Sequence, residues 1–275
     1  MDKNVYQQGE GKTLIFLHGW TMTGAAFAGQ FSRLADHFHC VAPDLPGHGT
    51  SRHLDATIDR CGEFLNALIC DLEKEEVILV GWSMGAAVAW NYLRRFGGDK
   101  VAGLVTVDMS PKIVNEGDWT LGLVGRTTDT LAASTAHLLD DWQLSSAAVA
   151  SGMFATEVGP EHFPASYASR IIADQTPEKM HQMWVELTQL DERDSISKID
   201  VPWLVCFGEE SRAYGRPVAE WVAAQSPHTT LCGFQSAGHS PHIEAPDAFA
   251  KVLKQFVAEA WIGTPLVPAN LVHHQ

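Results

Sequence analysis

The 275-residue sequence predicts an α/β fold, a mostly parallel doubly wound sheet with an inserted helical cap, and three observations carry that reading. The first is a set of short apolar runs, at residues 13–17, 40–42, 77–80, 101–107, 203–207 and 230–234. Strands covered by helices on both faces lose polar alternation and become continuously apolar, as these runs are. The second is the longer amphipathic stretches between them, notably 58–73, 86–96 and 246–261, whose apolar residues recur at helical spacing. Strands alternating with helices pair in parallel, and such sheets carry their chemistry at the carboxyl ends of the strands.

The third observation is an interruption. Between Lys112 and Lys198 helical segments follow one another without a convincing strand. The domain organisation expected is therefore a core made of residues 1–111 and 199–275, with 112–198 inserted as the cap. This segment carries Trp119, Trp142, Met153, Phe154, Phe163, Tyr167, Met180, Met183 and Trp184, more large apolar side chains than a thin layer needs for packing. Some should line a pocket and the rest should fasten the cap to the core.

Composition narrows the partners. Hydrophobic residues make up 45% and charged residues 19% of the chain, enough for one domain with a full core. A formal net charge of −14 argues against a nucleic-acid surface or an anionic membrane, both of which require a basic patch, and disfavours acidic substrates. Cys40, Cys61, Cys70, Cys206 and Cys232 form an odd set without CxxC spacing. They read as buried small hydrophobes in a reducing compartment, not as a disulfide framework or a zinc site. The first residues have no apolar signal core and no apolar run reaches the length of a membrane span, so a cytoplasmic protein is expected. Residues 263–275 lack helical periodicity and read as a frayed tail, its His273–His274 pair notwithstanding.

The strongest chemical signal is Gly81-Trp82-Ser83-Met84-Gly85, with an apolar run before it and a helical pattern after it. A serine on so sharp a strand-to-helix turn stands exposed above the sheet, and flanking glycines give strand and helix room to approach. Its hydroxyl is a poor nucleophile near neutrality and needs a base to take the proton. His239, in Gly238-His239-Ser240-Pro241-His242, follows the last apolar run and is the candidate; His242 reads as solvated or at a pocket edge.

With these motifs on the page, the chain resembles the α/β-hydrolase superfamily. Leu17-His18-Gly19-Trp20 looks like that family's oxyanion loop, Asp44 to Ser51 like the loop after the next strand, and the order serine then histidine matches. The set is similar to small bacterial carboxylesterases, the pimeloyl-carrier-protein methyl esterase kind among them. The resemblance implies that the backbone N–H groups of Trp20 and Met84 form the oxyanion hole and that His239 is the base.

The third member of the triad departs from the commonest pattern. Where the family usually reads Gly-x-x-Asp, the chain has Gly208-Glu209-Glu210-Ser211. Asp108, directly after the run 101–107, stands at the other strand end from which some members supply the acid. It is the first candidate, Glu210 the alternative, then Glu209 or no acid; Ser211 is expected as an auxiliary that bonds the same carboxylate or the histidine. Asp44, ahead of Pro46 and Gly47, reads as a loop-bonding residue.

The expected function is hydrolysis of a carboxylic ester through an acyl-enzyme, with no metal and no organic cofactor. The substrate expected is a small-molecule acyl ester. Thirteen Asp or Glu against six Lys or Arg within 112–198 should repel an acidic carrier protein. An acyltransferase or thioesterase with the same triad, and a receptor that kept the fold without turnover, are the alternatives. A haloalkane dehalogenase would need a carboxylate where Ser83 stands.

Overall fold

The computed structural model describes residues 5–74, 76–262 and 272–274. The chain runs through β1 (Val5–Gln8), β2 (Thr13–Leu17), α1 (Ala28–Leu34), β3 (His39–Pro43), α2 (Ile58–Asp71), β4 (Val77–Trp82), α3 (Met84–Phe96) and β5 (Val101–Val107). Five helices follow without a strand of the sheet: α4 (Thr128–Ala136), α5 (Trp142–Gly152), α6 (Ala165–Ala173), α7 (Pro177–Thr188) and α8 (Arg193–Ile196). The sheet resumes with β6 (Trp203–Gly208), α9 (Arg216–Ala223) and β7 (Thr229–Phe234), and ends with α10 (Pro241–Glu244), α11 (Pro246–Ile262) and β8 (Val272–His274).

The strands form one sheet in the order β1-β3-β2-β4-β5-β6-β7-β8, in which β1 is antiparallel to β3 and every other pairing is parallel. The pleat sends alternate residues to opposite faces. Leu14 and Phe16 of β2 pack with Phe31 and Leu34 of α1 and with Phe249, Leu253 and Phe256 of α11. Ile15 and Leu17 pack on the other face with Leu65 and Ile69 of α2, Ala87 and Val88 of α3 and, farther along the sheet, Val218 and Val222 of α9. Both faces are covered, which is why β2, β4 and β5 are buried at every position. Each fully buried Leu or Phe contributes about 1.5–3 kcal/mol.

Local chemistry sets the ends of the helices that position the site. Thr57 caps α2 by accepting from the Arg60 amide, with Asp59 in the first turn. The sequence did not announce β1 or α1. Three of the four residues of β1 are exposed, and Val5-Tyr6-Gln7-Gln8 shows neither a period of two nor a long apolar run to mark it. The frayed tail expected over 263–275 lies mostly outside the described residues; Val272–His274 pairs with β7. Among the described residues no helix is long and apolar enough to cross a membrane. All five cysteines are free, four of them buried and Cys70 exposed.

Candidate active site

Ser83 sits between β4 and α3 with φ 52° and ψ −120°, a left-handed conformation that costs a non-glycine residue about 1–3 kcal/mol. The surrounding structure holds it there. Its amide donates to the Val107 carbonyl at 2.9 Å, and its own carbonyl accepts from Ala86 at 2.8 Å. A Cβ on Gly85 would collide with the Leu17 carbonyl, so only glycine lets α3 start this close to β2. Ser83 is half-buried.

The end of β5 carries a second kink, which the sequence did not signal: Asp108 has φ 48°. Its amide donates to the Cys206 carbonyl at 2.8 Å, and its side chain is buried. Asp108 Oδ2 accepts from His239 Nδ1 at 2.6 Å and from Ser211 Oγ at 2.6 Å. A carboxylate only accepts, so the proton is assigned to Nδ1 and Nε2 is left as the basic nitrogen. Ser211 Oγ in turn accepts from the amides of Ala213 and Tyr214 at 3.3 and 3.2 Å. The two glutamates of this loop take other positions: Glu209 ion-pairs with Arg216, and Glu210 is exposed.

The loop bearing His239 is held from three sides. Glu244 accepts from the amides of Gly238 at 2.8 Å and Ser240 at 3.3 Å, which flank the histidine, and from Ala155 of the inserted helical segment at 2.7 Å. Burial pushes its carboxyl above the usual range, and the three amides oppose that. Trp82 Nε1 donates to the His239 carbonyl at 2.8 Å, and the Tyr214 ring lies 5.8 Å from the imidazole. Gly208 admits the approach, since a Cβ there would strike the carbonyls of Ala237 and Gly238.

His242 is not solvated; of the two places expected for it, the pocket edge holds, since it lines a second cavity with Phe163 and Ile243. It is 1% exposed, its ring packs 4.6 Å from Trp82 and 4.8 Å from Phe27, and among the described residues neither ring nitrogen has a hydrogen-bond partner. Burial lowers its pKa to about 3. The residue is a neutral aromatic filler behind Trp82, placed by neighbours remote in sequence.

Asp44 bonds its loop as expected, accepting from the amides of Gly24 and Thr50, each at 2.9 Å. His18 accepts from the Leu45 amide through Nε2 and donates to the Gly19 carbonyl through Nδ1, both at 2.9 Å, and burial lowers its pKa. It thereby fixes the loop ahead of Trp20, where Thr21 has φ 68°. Among the described residues the backbone N–H groups of Trp20 and Met84 donate to nothing in the chain. The Trp20 side chain does more than expected. Its Nε1 donates to the Met180 carbonyl at 2.9 Å and its ring stacks on Trp184 at 4.6 Å, fastening the loop to α7.

Ser83, Met84, Trp20 and His239 all line one cavity of about 310 Å³, at the small end of the ligand-site range. Ser83 and His239 both line this space, and among the described residues no hydrogen bond joins their side chains. Of the nine large apolar residues singled out in 112–198, Met153 and Trp184 line it. Trp119, Phe154, Met180 and Met183 are instead buried in the packing, and Tyr167 is exposed. Among the described residues no cluster of three or more His, Cys, Asp or Glu could hold a metal ion.

Comparison with known proteins adds to this geometry. The model of the alpha/beta hydrolase family matches residues 14–252. A pimeloyl-[acyl-carrier protein] methyl ester esterase of Vibrio cholerae is 30% identical over 252 residues, which span 90% of this chain and 95% of the relative. The protein of the same name from Vibrio vulnificus is 29% identical, over 92% and 96%. Among solved structures, an esterase from Exiguobacterium antarcticum superposes with a TM-score of 0.85 at 23% identity, over 92% of this chain and 94% of its own. A bromoperoxidase from Bacillus anthracis gives 0.86 at 21% identity, over 92% and 94%. At these identities the two structures speak to the fold alone.

Proposed function

We propose that this chain, which belongs to the alpha/beta hydrolase family and is an esterase-type hydrolase, cleaves carboxylic esters through an acyl-enzyme on Ser83. His239 is the base, Asp108 the acid that orients it, and the backbone N–H groups of Trp20 and Met84 are the oxyanion hole. Nε2 of His239 takes the hydroxyl proton as Ser83 Oγ bonds the ester carbon, and the carbonyl oxygen becomes an anion that two preorganised N–H donors stabilise. The carbon–alcohol bond then breaks, with the proton passed from His239 to the leaving oxygen. Water repeats the sequence, releasing the acid and restoring Ser83.

The observation that carries this reading is the 2.6 Å contact between buried Asp108 and His239 Nδ1, with the imidazole on the same cavity wall as the strained Ser83. A buried carboxylate holds the tautomer and stabilises the imidazolium formed during attack. Ser83→Ala should reduce ester turnover by several orders of magnitude with an unchanged circular dichroism spectrum, and a fluorophosphonate should label the wild type alone. Retention of more than about a tenth of the turnover contradicts the assignment of the nucleophile.

We read residues 112–198 as a cap over the acyl site, since Met153 and Trp184 give the cavity apolar walls. The five free thiols support a reducing compartment, the cytoplasm. A free small ester follows from the acidic balance of 112–198, but the Vibrio relatives are named for an ester on an acyl-carrier protein and lend no support to excluding a carrier. The same acyl methyl ester, free and on an acidic carrier, separates these. Charge repulsion predicts that the carrier-bound form is the poorer substrate at low salt and gains as salt rises.

A further inference from the structure

The cavity contradicts the charge of the chain around it. The formal net charge is −14, yet among the described residues the basic groups on the cavity wall are Arg126, Arg212 and His239, and no Asp or Glu lines it. Arg212 is already engaged: its guanidinium donates to the Ser151 carbonyl at 3.0 Å and to Glu157 at 3.4 Å. Arg126 is not. Among the described residues its guanidinium has no hydrogen-bond or ion-pair partner within the chain.

Its stem is nevertheless fixed. The Arg126 amide donates to the Leu123 carbonyl at 3.0 Å, and its carbonyl accepts from the Asn115 amide at 2.9 Å and from Asn115 Nδ2 at 3.0 Å. The Val124 amide donates to the Ala213 carbonyl at 2.9 Å, which stitches this turn to the loop carrying Ser211 and Arg212. A held backbone thus places Arg126, half-buried and able to offer five N–H donors, on the wall of a chamber otherwise lined by residues such as Leu123, Ile113, Val149 and Leu187. A purely hydrocarbon acyl chain gains nothing from such a group and must desolvate it at a cost. An anion with two free oxygens, a carboxylate or a phosphate, pairs with it bidentately, and does so more strongly away from bulk water.

Resting on the esterase reading above, we infer that Arg126 selects acyl esters carrying an anionic group, a carboxylate or a phosphate, remote from the ester that Ser83 attacks. The net charge of the chain acts at long range and is screened by salt; the guanidinium acts at contact, inside the site. Whole-chain charge, which disfavours acidic substrates, is therefore a poor guide to this pocket.

Methyl esters of one acyl length, ending in a carboxylate, a phosphate or a neutral primary amide, test this with the purified enzyme. The expected result is a kcat/KM about tenfold or more higher for an anionic form than for the amide, the worth of one hydrogen-bonded ion pair. Arg126→Gln should bring that ratio to about one, and Arg126→Lys, which keeps the charge and loses the bidentate fork, should keep only part of it. The better of the two anions identifies the ligand. Equal kcat/KM for all three forms, or a preference that survives Arg126→Gln, overturns the inference while Ser83-dependent turnover of the amide form leaves the esterase intact. No turnover of any form and no labelling of Ser83 would remove both.

Discussion

The ends of β5 and β6 lie side by side, paired through Val107 and Cys206, and both abut the loop of His239, yet they make different use of the same place. The β5 end carries a short carboxylate on a left-handed residue, buried and accepting from both Ser211 and His239. The β6 end carries Gly208, which lets the histidine loop close in, an ion-paired Glu209, an exposed Glu210, and Ser211, which donates to the carboxylate of its neighbour. Neighbouring strand ends of a parallel sheet can both reach one imidazole. Burial and hydrogen bonding, more than the identity of the strand, decide which of them holds it.

Substitutions can break this contrast. Asp108→Asn should lower kcat by roughly 10³- to 10⁴-fold, as the corresponding change does in a serine protease, with a folded protein by thermal melting. Glu244→Gln sets an amide N–H₂ among three backbone donors, so a loss of roughly 1–3 kcal/mol in stability is expected, with kcat falling more than KM rises because the flanks of His239 loosen. Ser211→Ala removes one bond to the Asp108 carboxylate and should cost less than about tenfold in kcat. Glu209→Gln and Glu210→Gln should each stay within about tenfold of wild type; a crippled Glu210→Gln beside a tolerated Asp108→Asn would reverse the contrast between the two strand ends.

The smallest effect concerns stability against pH. His48 and His242 are buried neutral, with pKa lowered from 6.5 to about 3 by desolvation. Between those values the unfolded chain holds protons that the folded chain refuses, so stability falls as pH drops, by about 1.4 kcal/mol per unit for each histidine. Glu244, raised by burial, acts in the opposite sense and adds stability in acid that is lost as pH rises through its folded value. His18 and His39, also lowered by burial, act in the same sense as these two, so the histidines outweigh the one raised carboxyl and leave a net acid sensitivity. His242→Phe, whose ring can pack between Phe27, Trp82 and Phe249, should flatten the decline of the urea midpoint between pH 7 and pH 5. An unchanged slope would mean that His242 is not buried neutral.

What the sequence disclosed follows from what short stretches can encode. Strands buried on both faces announce themselves as apolar runs, and Gly81 to Gly85 carry their turn in five residues, so the core sheet and the Ser83 elbow were legible. The mostly exposed β1 and the short α1 were not, lacking either signal. The nearness of Asp108 to His239 could be reasoned from strand order, but the left-handed backbone at Asp108 could not. Nor could the support given by Trp82, Tyr214 and Glu244, which rests on contacts such as Trp82 to His239 across 157 positions. The burial of His242 was hidden for the same reason: Gly-His-Ser-Pro-His looks like a loop, and only residues 27, 82 and 249 pack its ring into the core.

That Asp108 orients His239 is tested most directly by the imidazole proton itself. A proton held on Nδ1 against a buried carboxylate exchanges slowly and resonates far downfield in the proton NMR spectrum of a nitrogen-15 histidine-labelled sample. The account predicts this signal in the wild type, Glu209→Gln and Glu210→Gln, and its loss or large upfield shift in Asp108→Asn. A signal that persists unmoved in Asp108→Asn but vanishes in Glu210→Gln would contradict it.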